Sequence, residues 1–87
     1  MRLDKFLKVA RIIKRRTVAK EACDAGRVSV NGRTAKAGYE VAVGDELTVR
    51  FGTSVLKLAV TDIADNVRKE DAADMYEIIS RERTTEL

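Results

Sequence analysis

The 87 residues contain no histidine, proline or tryptophan and a single cysteine. Without histidine there is no imidazole to serve as a base near neutral pH or to ligate zinc. Cys23 has no partner for an internal disulfide, and as a small residue among alanines it reads as a buried hydrophobe. No glycine-rich phosphate loop occurs, and no cluster of His, Cys or acids has metal spacing. The chain therefore reads as a protein without catalytic activity, metal or cofactor. Long apolar runs are missing as well: charge interrupts the opening residues, and nothing approaches the ~20 apolar residues of a membrane span. A cytoplasmic location with no membrane partner is expected. Aromatics are sparse, limited to Phe6, Tyr39, Phe51 and Tyr76. Phe6 and Phe51 fall on apolar faces and read as core, which leaves little with which to stack splayed bases.

Charge is abundant but unevenly placed. Residues 1 to 36 hold 11 of the 17 Lys and Arg and 3 of the 14 Asp and Glu, a net of +8, whereas residues 37 to 87 carry −5. Solubility does not require one sign to be concentrated in one third of a chain. A basic segment of this kind suits a polyanion, and with few stacking rings it suits structured RNA read through its phosphates. The acidic residues near the end, Glu70, Asp71, Asp74 and Glu77, read as a solvated face, with protein docking as the alternative.

Leu3, Phe6, Leu7 and Ala10 recur at helical spacing with Arg2, Lys5 and Lys8 opposite, so a first helix with a split face is expected. Asp4 suits the positive end of that helix and is assigned a structural role. A basic connector over residues 11 to 16 leads to a second helix, with Thr17 as N-cap, Gly26 as C-cap, and Val18, Ala22 and Ala25 inward. Arg16 and Lys20 align four residues apart. Arg27 to Val30 reads as a strand, Asn31-Gly32 as a type I′ hairpin turn, and residues 33 to 36 as the returning strand. Leu47, Val49 and Phe51 share one face of a further strand, and Leu56, Leu58 and Val60 one face of the next. Ala72, Met75, Tyr76 and Ile79 predict a short closing helix over about residues 70 to 80, with fraying from residue 81. At this length a single domain is expected, residues 1 to 87, with an extension from residue 51.

Three blocks in order, Arg2-Leu-Asp-Lys-Phe-Leu-Lys8, Lys14-Arg-Arg-Thr-Val-Ala-Lys-Glu-Ala22 and Gly26-Arg-Val-Ser-Val-Asn-Gly32, with Gly44-Asp45-Glu-Leu47 following, resemble the S4-type RNA-binding domain over about residues 2 to 50. The tail around residues 69 to 79 resembles small Gram-positive proteins of the RqcP type, relatives of the fifteen-kilodalton heat-shock S4 protein. The resemblance implies an α+β fold in which two N-terminal helices pack on a small antiparallel sheet with a short C-terminal helix. It also implies a role in ribosome-associated quality control: binding a stalled large (50S) subunit through 23S rRNA, and holding peptidyl-tRNA in the P-site while the partner RqcH directs alanine tailing. A resident ribosomal protein and a targeting subunit for rRNA modification are the alternatives. The RNA-binding residues are expected to be Arg2, Lys5, Lys14, Arg15, Arg16, Lys20, Arg27 and Arg33, and the protein is expected to be a monomer off the ribosome. Arg15 stands where many relatives have a small hydroxyl residue. On sequence grounds Arg16→Glu would abolish subunit binding and leave the fold intact.

Overall fold

The apolar spacing of the first ten residues forms helix α1 (Leu3–Val9). Leu3, Phe6, Leu7 and Ala10 are all buried, and the first three are among the largest fully enclosed side chains. The computed structural model describes residues 1–64 and 68–83. After α1 come helix α2 (Arg16–Asp24), strands β1 (Val28–Val30), β2 (Arg33–Thr34), β3 (Glu46–Phe51) and β4 (Ser54–Val60), a 3-10 helix (Lys69–Met75) and strand β5 (Tyr76–Arg83). The strands form one antiparallel sheet in the order β2-β1-β3-β4-β5. The core lies between the two helices and the sheet face bearing Val28, Val30, Leu47, Val49, Leu58 and Val60.

Helix α2 begins at Arg16 with Arg15 as N-cap and no side-chain cap, so Thr17 does not play that part. Its buried residues are Ala19 and Cys23, with Ala22 packed at the margin, whereas Val18 is 47% exposed and Ala25 lies in solvent. The expected inward side is therefore turned by about one residue. Small side chains at Ala19 and Cys23 permit a close approach to α1, and the larger Val18 is left outside.

Both helices end in the same hydrogen-bonded motif, in which the two residues after the cap donate back into the last turn. In α2, Gly26 N–H donates to the Cys23 carbonyl (3.0 Å) and Arg27 N–H to that of Ala22 (2.9 Å). In α1, Arg11 N–H donates to Lys8 (3.0 Å) and Ile12 N–H to Leu7 (3.0 Å). The motif needs a left-handed residue, which is Gly26 in α2 (φ 76°) and Arg11 in α1 (φ 59°).

The hairpin follows its sequence signal. Val30 pairs with Arg33 across Asn31 and Gly32, whose φ values are 51° and 84°, as a type I′ turn requires. Strand β2 stops at Thr34, two residues before the expected end. Asn31 also accepts from the Glu46 amide (2.9 Å) and donates to Asp45 (3.1 Å), joining the hairpin to the start of β3.

Two expectations fail at the far end of the sheet. Phe51 shares a face with Leu47 and Val49 by alternation, yet it is 40% exposed, because β3 runs on past the helices that cover its neighbours. The closing helix ends at Met75, and residues 76 to 83 form β5. Ala72 and Met75 are buried as the helical spacing implied. Tyr76 and Ile78, however, pair with Val60 and Leu58. The open backbone edge of β4 and the β-branched pair Ile78-Ile79 favour the ladder over a continued helix. Residues 81 to 83 belong to that strand, and the remaining expected fraying lies outside the described residues.

A Cβ at Gly26 would meet only Thr34 Cγ2, at an ordinary 3.8 Å. Gly26→Ala should thus carry the backbone cost alone, about 1 kcal/mol, read as a lower urea midpoint with an unchanged slope. An unaltered midpoint would show that the left-handed residue is not needed there.

Candidate nucleic-acid interface

Asp4 sits in the first turn of α1 and is 3% exposed. A carboxylate so enclosed must be matched by donors. It accepts from Arg2 Nε (3.2 Å) and the Lys5 amide (2.9 Å), and its other oxygen lies 3.4 Å from Arg16 Nε. Burial is the largest influence on Asp4 and opposes its ionisation. The hydrogen bonds from Arg2, Arg16 and the Lys5 amide, with the charge of Arg16, together outweigh it and hold the carboxyl below the usual carboxylate range.

This arrangement joins three segments. Arg2 precedes α1, Arg16 opens α2, and the loop after β2 closes over the start of α1 through backbone bonds. Leu3 N–H donates to Tyr39 O (2.8 Å), Asp4 N–H to Ala37 O (3.2 Å) and Val41 N–H to Met1 O (2.9 Å). The terminal ammonium meets Glu40 at 2.9 Å. A Cβ at Gly38 would lie 4.0 Å from Arg2 Cζ, so the Arg2 guanidinium passes over that glycine. The first two amides of α1 are thereby committed to carbonyl oxygens and the third, that of Lys5, to the Asp4 carboxylate. Those of α2 have no side-chain cap and open beside Arg15 and Arg16, an arrangement that favours phosphate.

The structure brings the side chains of Arg2 and Arg16 to Asp4, whereas Lys5 meets it through its backbone amide. Arg2 and Arg16 keep 49% and 48% of their side chains exposed, so each guanidinium is oriented from within and open from without. Lys20 lies one turn beyond Arg16, and Lys14 and Arg15 lead into α2; all three are exposed. Arg27 and Arg33 stand apart from this group. Arg27 follows α2, where its carbonyl accepts from Arg50 N–H (3.0 Å), and Arg33 lies on the outer strand β2. Arg33 lines a shallow groove of about 570 Å³ with Lys36 and Tyr39. By its position in the sequence Asp4 is a helix-end charge, and its two arginine partners are not apparent there. The available signal was one acid among Arg2, Lys5 and Arg16 with no other acid before residue 21. Because Arg16 contacts Asp4, Arg16→Glu would set two carboxylates together and disturb the fold, contrary to the sequence expectation.

Cys23 is fully buried, and burial, reinforced by the Asp4 and Asp24 charges, pushes its thiol up to about 11, so it is not a ready nucleophile. Among the described residues no group of three or more His, Cys, Asp or Glu is placed to hold a metal ion, and no helix is long and apolar enough to cross a membrane.

The depressed Asp4 pKa means that its contribution to stability is present above the unfolded-state value, about 3.9, and is lost as pH falls through the lower folded-state value. Asp4→Asn should cost on the order of 1–3 kcal/mol at pH 7 and remove part of the acid sensitivity below about pH 4, in urea titrations across pH. An acid limb identical in both proteins would contradict this assignment.

Residues 1–47 match the S4 domain family. The chain is 56% identical over 86 residues to the RQC P-site tRNA stabilizing factor of Bacillus subtilis (strain 168), covering 99% of this chain and 100% of that protein. It is 36% identical over 73 residues to the RQC P-site tRNA stabilizing factor of Helicobacter pylori (strain ATCC 700392 / 26695), covering 82% and 87%. The trimeric structure of Vibrio cholerae heat shock protein 15 superposes with a TM-score of 0.86 at 32% identity, over 92% of this chain and 82% of that one. The chain belongs to the S4 domain family, in the lineage that the RQC P-site tRNA stabilizing factors share with heat shock protein 15.

Proposed function

We propose that this protein is a non-catalytic RNA-binding factor of ribosome-associated quality control. It binds the large ribosomal subunit through phosphates of 23S rRNA and tRNA and stabilises peptidyl-tRNA in the P-site during RqcH-dependent alanine tailing. Its relatives are named for stabilising P-site tRNA in that process. The observation that carries the reading on this chain is the Arg2–Asp4–Arg16 group beside the uncapped start of α2. Arginine loses about 2 kcal/mol of rotamer freedom when ordered, and its planar fork suits phosphate oxygens. Asp4 imposes part of that ordering before RNA arrives, so less is lost on binding. Lys14, Arg15 and Lys20 extend the face along α2, and Arg27 and Arg33 add a second basic patch on the hairpin side. The net −5 of residues 37 to 87 disfavours docking by the wrong side and so fixes orientation. A single cytoplasmic domain, monomeric off the ribosome, suffices for this action.

Sedimentation with purified large subunits carrying peptidyl-tRNA tests the placement. Lys20→Glu changes an exposed charge and should alter stability by no more than about 0.5 kcal/mol. Arg16→Gln keeps a donor near Asp4 without its charge. Both should weaken subunit binding by about tenfold or more, with the salt dependence shallower by roughly 0.7–0.9 per lost phosphate contact. Binding equal to wild type in both variants would contradict the proposed face.

A further inference from the structure

The sheet extends beyond its helical cover. On the face that carries Leu47, Val49 and Leu58, the register continues through Leu56 opposite Arg81 and Phe51 opposite Ser54. Arg11 and Ile12, from the turn after α1, wall this end and leave an open cleft of about 410 Å³. That volume falls within the roughly 300–1,000 Å³ of ligand clefts. Its floor is apolar and aromatic: Phe51 is 40% exposed, with Leu56 and Tyr76 half-buried beside it. Its charged groups on that face are the exposed Arg11 and Arg81. Val55 and Glu82 form a cross-strand pair that alternation turns to the other face, so they contribute rim.

Arg11 occupies the left-handed position that closes α1, where α2 uses Gly26 for the same hydrogen bonds. Arginine is disfavoured there and glycine is not. The sequence therefore keeps a guanidinium on the cleft at a conformational cost.

We propose that this cleft is a second RNA site, which takes one unstacked nucleotide with its base against Phe51 and the apolar floor and its phosphate at Arg11 and Arg81. Two cations flanking an exposed ring on a concave floor match the two chemistries of a nucleotide, a flat base and an anion. Arg11 also opens the basic connector that ends at Arg16, so one short segment of chain links the cleft to the face described above. The proposal rests on the RNA-binding reading of that face and extends it to a base contact that the phosphate contacts do not supply.

The test is an NMR titration of the full chain, ¹⁵N-labelled, with a mixed-sequence single-stranded RNA hexanucleotide, and in parallel with an acidic hexapeptide. RNA should produce saturable shifts at the amides of Arg11, Phe51, Leu56 and Arg81 that the peptide does not reproduce. Phe51→Leu, which keeps an apolar group and removes the stacking ring, should weaken the affinity read at these amides by about fivefold or more. Arg11→Gly should weaken it as well while raising Tm, because glycine fits the left-handed position better. No shift at the cleft, equal shifts with the peptide, or unchanged RNA affinity in both variants would overturn the proposal. Cleft shifts in a protein that fails to bind large subunits would count against the quality-control reading and leave this one standing. Subunit binding without cleft shifts would do the reverse.

Discussion

A charged carboxylate enclosed at the start of α1 is the constraint to which the rest of the basic half is fitted. Asp4 cannot be left unmatched at 3% exposure, and its partners come from the residue before α1, the residue that opens α2 and the backbone of α1 itself. Satisfying it fixes the two helices relative to one another and holds two long cations in defined positions. The loop through Ala37 and Tyr39 occupies the leading amides of α1, so the anion-attracting helix end that remains is that of α2. The helix end left open to an anion is thus that of α2, because the corresponding end of α1 is already bonded.

The two helix ends show the same exchange in miniature. Gly26 closes α2 at little conformational cost, and Arg11 closes α1 at a greater one. Beyond Arg11 the sheet outruns its cover, and the face that is core at Leu47 and Val49 becomes solvent-facing at Phe51. One apolar stripe thereby serves two ends of the molecule, packing at one and an open cleft at the other.

Much of this was legible in the sequence where local chemistry decides. The spacing of Leu3, Phe6, Leu7 and Ala10 gave the buried side of α1, and Asn31-Gly32 gave the hairpin turn, because each depends on a few neighbouring residues. The inward side of α2 lies about one residue from that implied by Val18, Ala22 and Ala25, since what selects Ala19 and Cys23 over Val18 is the approach of α1, a tertiary contact. The closing helix was overextended for the same kind of reason: Tyr76 to Arg83 answer to the open edge of β4, which no local period records. Charge clustering marks the two basic helices in the sequence, but the pairing of Arg2 and Arg16 through Asp4 joins residues up to 14 apart in sequence and emerges only when the helices pack. Alternation puts Phe51 on the core face, but it assigns a face without showing where the cover ends.

The most direct measurement concerns the coupling of this protein to tRNA. A factor that stabilises peptidyl-tRNA in the P-site must itself bind more tightly when that tRNA is present, by the same factor in both directions. Affinity for large subunits with and without P-site peptidyl-tRNA, at one fixed salt concentration, measures that coupling. At least a fivefold tighter binding to the tRNA-bearing subunit, about 1 kcal/mol, is expected. Equal affinity for the two would contradict a stabilising role and leave only attachment to the subunit.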